Sequence, residues 1–209
     1  MLAPADQHQG GPVHEVACDF SSEAVTAQAL SSALAVLGGV DQFVYAWYPA
    51  GLTEPKAFAD VSEDEWARTC EGTLDAAWWL VRLLVGPLRA AGGGSMVMVV
   101  PTVGLTGASE LVMLATVAEG LRVMAKGCGR CWGGDGVVVN TVATSPALWV
   151  APEHGERLLR EISLSVPAMG RVGDPAGDLA PLVGLLGSED AHFVTAGTVV
   201  ADGGLWMGL

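Results

Sequence analysis

Met96-Val-Met-Val-Val100 is an uninterrupted apolar run that follows three glycines, and this stretch decides the fold that the sequence predicts. A strand that is apolar on both faces is typical of a parallel sheet covered on both sides. Val137-Val-Val-Asn-Thr-Val142 is predicted to be another buried strand, and a helical pattern over about 109–128 separates the two runs. Two buried strands joined by a helix predict a right-handed βαβ unit.

Strand and helix patterns alternate on both sides of this unit. Further strands are predicted at 13–20, 42–47 and 198–201, and further helices at about 22–37, 62–89, 153–164 and 175–186. Ser21 or Ser22 and then Ser62 are predicted N-caps, and Gly38 a helix end. The glycines Gly127, Gly129, Gly133 and Gly134 are expected to break up the helix over 109–128. The prediction is a three-layer α/β fold with about five mostly parallel strands and helices on both faces.

Composition indicates an oligomer that lacks a membrane span. Apolar residues make up 51% and charged residues 16%, against roughly 25% charged in an ordinary soluble domain. No uncharged apolar stretch is long enough to span a bilayer, and the amino terminus has no basic region of a signal peptide, so a cytoplasmic location is expected. Residues 1–12 are expected to be disordered, and 13–209 to form one domain whose surplus apolar surface is covered by another subunit.

Charge and cysteine usage exclude several classes of function. The net charge of −13 argues against binding to nucleic acid or to an anionic membrane. The chain has four histidines without paired spacing, and no metal site is predicted. Cys128-Gly-Arg-Cys131 has the spacing of a thiol redox pair, but it lies at the end of a predicted helix, where the helix dipole does not favour a thiolate.

The carboxy-terminal third contains the most specific motifs. Gly170-Arg-Val-Gly-Asp-Pro-Ala-Gly-Asp-Leu-Ala180 is followed by Leu185-Leu-Gly-Ser-Glu-Asp-Ala-His-Phe-Val-Thr-Ala-Gly197 and then by Val200-Ala-Asp-Gly-Gly204. Together with Val139-Asn-Thr-Val-Ala143, these segments resemble the acyl-carrier-protein ketoreductase branch of the short-chain dehydrogenase/reductase family. The resemblance covers roughly residues 15–209 and implies a Rossmann-like fold that lacks the family's first βαβ unit.

The resemblance also locates the positions at which the family carries out its chemistry. Counting back from Val139 without a gap, the family's catalytic tyrosine and lysine fall on Leu114 and Ala118. Its serine falls on Pro101 by gapless spacing from the strand at 96–100, and its asparagine on Thr73 within Glu71-Gly-Thr-Leu74. None of these four side chains matches the family's pattern, so no catalytic residue is predicted and the chain is not expected to be an enzyme by itself. Thr102, beside Pro101, retains a hydroxyl group.

The family's nucleotide-binding turn, Thr-Gly-x-x-x-Gly-x-Gly, has no counterpart in this sequence. The motif that lines the cofactor cleft in the family maps to Tyr45-Ala-Trp-Tyr48, which replaces small and amide side chains with aromatic rings. No cofactor is therefore expected in this chain, and NADP(H) is expected in a partner subunit.

The resulting hypothesis is a non-catalytic, pseudoenzyme subunit of a hetero-oligomeric reductase or dehydrogenase, such as a heterotetramer with a full-length homologue. The homologue would act on a β-keto or β-hydroxy acyl group bound to a carrier protein, and the chain resembles partner subunits of aminocoumarin-type antibiotic biosynthesis. The residues expected at the partner interface are Trp78, Trp79, Leu83, Met113, Val117, Leu121, Trp206 and Met207.

Two alternatives stay open at this point. The first is a stand-alone protein that binds a small apolar ligand in the remodelled cleft lined by Tyr45, Trp47 and Tyr48. The second is a thiol redox protein that uses Cys128 and Cys131.

Overall fold

Four parallel strands form one sheet in the part of the chain that a computed structural model describes, residues 12–49, 51–150, 152–161 and 166–207. The strands are β1 (Gln42–Tyr45), β2 (Gly94–Pro101), β3 (Val137–Thr144) and β4 (Thr198–Ala201), and they lie side by side in chain order. Each pair is parallel, with Tyr45 beside Met98, Pro101 beside Thr144 and Thr144 beside Ala201. Apart from Pro12, the amino-terminal segment expected to be disordered lies outside the described residues.

The predicted α/β, Rossmann-like fold is confirmed. The helices are α1 (Glu23–Leu37), α2 (Glu63–Trp66), α3 (Gly72–Ala90), α4 (Val103–Thr106), α5 (Val112–Trp132), α6 (Pro152–Glu161) and α7 (Ala180–Leu186). Alternate residues of β2 enter two separate cores. Met96, Met98 and Val100 pack with α3 and α5, whereas Val97 and Val99 pack with Leu186 of α7. The sheet is therefore covered on both faces, as its continuous apolar strands require.

Local signals placed both ends of α1 and the start of α2 correctly. The Ser22 hydroxyl accepts a hydrogen bond from the Val25 amide at the start of α1, and Gly38 ends that helix in the left-handed region. Ser62 caps α2 in the same way by accepting from the Glu65 amide. A π-helical turn, Ala67–Glu71, then joins α2 to α3. Among the described residues, no helix is long and apolar enough to cross a membrane.

The predicted strand at 13–20 is wrong. These residues have no regular secondary structure, and Val13 and Val16 are exposed. The described sheet accordingly has four strands instead of about five. A strand is stable only when its backbone groups find partners on a neighbouring strand, and β1 pairs with β2 alone among the described strands.

The expectation that glycines break up the third predicted helix is also wrong. Helix α5 runs to Trp132, through Gly127 and Gly129. Gly129 is buried where the helix approaches the segment before β4, since a Cβ there would lie 2.9 Å from the Thr195 hydroxyl oxygen and 3.0 Å from the Ala196 amide nitrogen. The glycine therefore allows a close contact and does not end the helix.

Three of the residues expected at a partner interface belong to the core of this chain. Met113, Val117 and Leu121 lie on the inner face of α5 and are at most 6% exposed. The prediction is wrong for them because the apolar face of α5 is covered by the chain's own sheet and by α3 and α4. Trp79, Leu83 and Trp206 are partly exposed. Trp78 and Met207 are exposed, at 49% and 83%.

Candidate site at the carboxyl edge of the sheet

The carboxyl ends of the four strands form one edge, and the segments that follow them carry the polar groups of the candidate site. Parallel α/β sheets bind their ligands at this edge. Here β1 is followed by aromatic residues, β2 by Thr102 and α4, β3 by Ser145 and a 3₁₀ turn, and β4 by Asp202. The edge thus brings together segments that are far apart in the sequence.

Aromatic side chains fill the part of this edge next to β1. The Tyr45 hydroxyl donates to the Thr73 carbonyl oxygen (3.0 Å), and the Tyr48 hydroxyl donates to the Val99 carbonyl oxygen (3.3 Å). The Tyr48 ring packs edge-on against Trp149, with 4.5 Å between ring centroids. Burial raises the pKa of Tyr45. The pKa of Tyr48 is raised well above its usual value, mainly by burial and to a smaller extent by the neighbouring Tyr45 phenol. Both phenols are therefore neutral, hydrogen-bonded core groups.

Of the four positions predicted to replace the catalytic groups, Pro101 is the last residue of β2 and the other three lie on α3 and α5. Leu114 and Ala118 are 0% and 1% exposed on α5. The short helix α4 lies directly on Ala118, because a Cβ at Gly104 would come within 3.0 Å of the Ala118 Cβ. The Thr73 hydroxyl is used within its own helix, where it donates to the Thr69 carbonyl oxygen (2.5 Å). These positions carry no ionisable side chain that could move a proton.

Thr102 retains a polar group at the end of β2. Its amide donates to the Thr144 carbonyl oxygen (2.7 Å), which fixes the backbone of the turn into α4. Its hydroxyl oxygen is buried and has no hydrogen-bond partner among the described residues. A buried hydroxyl without a partner costs free energy, and Ser95, Thr141 and Thr198 share this state.

A cavity of about 190 Å³ lies between the carboxyl ends of β3 and β4. Its walls are mostly apolar, and Ser145, a residue that is 1% exposed, contributes a hydroxyl group. Arg171 and Asp178 form a two-pronged ion pair at the cavity, with N–O distances of 2.5 and 2.8 Å. The guanidinium of Arg171 lowers the pKa of Asp178, so the pair is charged at neutral pH. Sequence reasoning missed this site, although the motif at 170–180 contains both members of the pair.

Asp202 shapes the far side of the same cavity. Its carboxylate accepts hydrogen bonds from the amides of Gly204, Leu205 and Trp206, at 3.0, 3.1 and 2.9 Å. These bonds hold the segment after β4 against the edge and leave Met207 exposed. The motif Asp202-Gly-Gly204 therefore has a structural role, which is to turn the chain sharply past the site.

The two cysteines of the predicted redox alternative lie in the last turn of α5. Cys128 is partly buried and Cys131 is exposed. Burial, and after it the neighbouring Cys131, raises the pKa of the Cys128 thiol. A reactive thiol needs a lowered pKa, so this geometry does not favour redox chemistry. The described residues contain no group of three or more potential metal ligands.

In many α/β proteins a dinucleotide is held by backbone amides at the start of a helix that directly follows a strand. In the described part of the chain, β1 leads into irregular backbone, and β2 leads into a helix of four residues. The rings of Tyr48 and Trp149, which pack edge-on, also lie at this edge.

The fold and the polar groups at the carboxyl edge of the sheet define an α/β protein of the type that binds small molecules at a parallel sheet. Comparisons with known proteins identify its family. The family model described as enoyl-(acyl carrier protein) reductase matches residues 2–206. The chain belongs to the short-chain dehydrogenase/reductase family.

Individual relatives are named as oxidoreductases. A 4-formylbenzenesulfonate dehydrogenase from Comamonas testosteroni is 30% identical over 200 residues, which cover 90% of this chain and 76% of the relative. A 3-oxoacyl-[acyl-carrier-protein] reductase from Pseudomonas aeruginosa is 27% identical over 158 residues, covering 76% and 64%. A (3R)-3-hydroxyacyl-CoA dehydrogenase from Rattus norvegicus is 27% identical over 162 residues, covering 76% and 61%. The chain thus spans somewhat under two thirds of the latter two proteins.

A solved structure supports the same assignment. The crystal structure of a short-chain dehydrogenase/reductase from Burkholderia xenovorans superposes with a TM-score of 0.79 at 28% identity, over 94% of this chain and 75% of that one. The helices and strands of this chain therefore follow the family's arrangement.

These relatives contradict two predictions made from the sequence. The prediction that the chain is not an enzyme by itself is wrong, because the similar proteins along most of its length are named as reductases and dehydrogenases. The prediction that it has no cofactor of its own is wrong for the same reason, since hydride transfer in such enzymes requires a bound redox cofactor. The names of the relatives say nothing of antibiotic biosynthesis, which stays a prediction.

Proposed function

We propose that this chain is a subunit of a short-chain oxidoreductase that interconverts 3-oxoacyl and 3-hydroxyacyl thioesters. The observation that carries the proposal is the match of the reductase family model to residues 2–206. The substrate class is supported by relatives named for 3-oxoacyl-[acyl-carrier-protein] and (3R)-3-hydroxyacyl-CoA substrates. Acyl groups of both kinds are thioesters, so a carrier protein or coenzyme A would present the substrate.

The polar groups of the carboxyl edge would bind the substrate carbonyl. Reduction of a ketone adds a hydride to carbon and a proton to oxygen, and donors near the oxygen stabilise the developing charge. Thr102 and Ser145 follow β2 and β3, which are adjacent strands, and both hydroxyls are buried. When bound, a nicotinamide dinucleotide would supply the hydride. The four positions Thr73, Pro101, Leu114 and Ala118 supply no proton, so a group elsewhere in the assembled enzyme has to deliver it.

We also propose that the enzyme is an oligomer with a homologous full-length chain, in the manner of a heterotetramer. Trp78 is half exposed on α3 and lies under the guanidinium of Arg82, 5.2 Å from the ring centroid. Trp79 and Leu83 continue this side of α3 and are partly exposed. Exposed tryptophan and methionine side chains are enriched at subunit interfaces, and Met207 offers a second such contact.

Reduction of acetoacetyl-CoA, followed through the absorbance of NADPH and of NADH, tests the proposed function. The chain is assayed alone and after co-expression with a homologous full-length short-chain reductase, and size-exclusion chromatography monitors assembly. We expect turnover by the chain, or a several-fold rise in turnover per reductase subunit together with co-elution. Absence of turnover by the chain, combined with an unchanged rate and separate elution of the reductase, would refute the proposal. Ser32→Ala removes an exposed hydroxyl group on α1, and this variant is prepared and assayed in the same way as a control.

A further inference from the structure

We propose that the cavity between the carboxyl ends of β3 and β4 binds the short acyl end of a carbonyl compound, with the Ser145 hydroxyl as hydrogen-bond donor. This inference rests on the proposed function for its substrate class, and it adds a defined binding site to it. The cavity is lined by the apolar side chains of Leu148, Met169, Leu179 and Ala201, and by the polar groups of Ser145, Arg171, Asp178 and Asp202.

Size and polarity indicate the kind of group that fits. The cavity measures about 190 Å³, and a cavity of roughly 150 Å³ lined by apolar side chains holds a benzene-sized molecule. Leucine and methionine side chains form its walls, which favours an apolar group over a sugar or a phosphate. A four-carbon acyl group is of the matching size and character.

Most polar groups around the cavity already have hydrogen-bond partners within the chain. The carboxylate of Asp202 accepts three backbone amides. The carboxylate of Asp178 accepts from Arg171 and from the Asp174 amide. A ligand carbonyl would gain nothing from either carboxylate, because both are acceptors only.

Ser145 differs from these groups. Its hydroxyl oxygen accepts a hydrogen bond from the Ala147 amide (3.3 Å), which caps the 3₁₀ turn Pro146–Trp149. Its hydroxyl hydrogen has no acceptor among the described residues. A hydroxyl can donate and accept at once, so Ser145 is a donor in a mostly apolar cavity and selects a ligand that carries an acceptor.

The position of Ser145 connects the cavity to the carboxyl edge. It directly follows Thr144, the last residue of β3, whose carbonyl oxygen accepts from the Thr102 amide. A backbone hydrogen bond between the ends of β2 and β3 therefore holds Thr102 close to Ser145. A substrate carbonyl that accepts from the Ser145 hydroxyl would lie at this end of β3, with the carbons beyond it in the cavity.

Binding of an acetoacetyl-N-acetylcysteamine thioester to the purified full chain, measured by calorimetry, tests the inference. Ser145→Ala removes the donor and is expected to weaken binding roughly two- to tenfold, the value of one neutral hydrogen bond. Ala201→Leu fills the cavity from β4 and is expected to abolish binding. Ser32→Ala, an exposed hydroxyl on α1 that donates to the Gln28 carbonyl oxygen, should bind as the wild type does.

The outcomes distinguish this inference from the proposed function. Equal affinity in Ser145→Ala and wild type would overturn the inference, even if the chain turns over acetoacetyl-CoA. Binding that depends on Ser145 and Ala201, without turnover in any assembly, would support the cavity and refute the oxidoreductase. Circular dichroism shows whether each variant is folded. If Ala201→Leu does not fold, the comparison of folded Ser145→Ala with the wild type still decides the test.

Discussion

Alanine substitution at two glycines of the same helix tests the packing of α5 against the segment before β4. Gly127 and Gly129 both lie in the last two turns of α5. Gly127 is exposed, and a Cβ there would meet no atom within 4 Å. Gly129 is buried, and a Cβ there would lie 2.9 Å from the Thr195 hydroxyl oxygen and 3.1 Å from the Ala196 Cβ. The pair therefore differs in packing and not in helical position.

The expected magnitudes follow from two opposing contributions. Glycine to alanine in a helix interior raises the free energy of unfolding by about 0.5–1 kcal/mol, and Gly127→Ala should gain this amount. Gly129→Ala gains the same helical term but overpacks a closed contact, at a cost of about 1–3 kcal/mol. The contact is stiff because the Thr195 hydroxyl accepts from the Val139 amide (3.1 Å) and the Ala196 amide donates to the Val139 carbonyl (2.8 Å).

Urea denaturation followed by circular dichroism measures both variants. The helical term cancels in the comparison, so the difference between the two free energies of unfolding equals the steric cost, about 1–3 kcal/mol with Gly129→Ala the less stable. Equal stabilisation by the two substitutions would refute the close contact between α5 and the segment before β4.

Three further predictions concern buried polar groups, charge and thiols. Asn140→Ala should lower the free energy of unfolding by about 1–3 kcal/mol in thermal and urea denaturation. The reason is that Asn140 donates to the Val194 carbonyl (2.7 Å) and accepts from the Gly197 amide (3.1 Å). An unchanged free energy of unfolding would contradict this stabilising role. Arg171 lowers the pKa of Asp178, so the advantage of wild type over Asp178→Asn should hold above the carboxyl's unfolded pKa, about 3.9. It should shrink as the pH falls below that value; an advantage that grows on acidification would contradict the ion pair. Burial raises the pKa of Cys128, and iodoacetamide at pH 7 should alkylate it more slowly than free cysteine, as measured by mass spectrometry; faster alkylation would revive the redox alternative.

The sheet and the helix ends could be predicted from short stretches of sequence. The run Met96–Val100 is apolar at every position, and only a strand with both faces covered accommodates such a run. Ser22, Ser62 and Gly38 act through hydrogen bonds to residues three or four positions away. These interactions are local, so the pattern of residue types was sufficient.

The functional interpretation failed where it relied on the absence of groups at single positions. Leu114 and Ala118 are buried apolar residues, as their side chains indicated. The conclusion that the chain is no enzyme did not follow, since the whole length of the chain matches a family of reductases and dehydrogenases. An active site is assembled from several segments and from neighbouring chains, and four positions do not represent all of it.

The sequence by itself determined the strand and helix alternation, the caps and the family, because each depends on neighbouring residues or on a linear motif. Only the tertiary structure decided that residues 13–20 have no strand partner, that Gly129 is a contact point and that Ser145 faces a cavity. Each of these depends on segments tens of residues apart that meet in space. Packing between such segments is a property of the folded chain, and no local pattern of residue types encodes it.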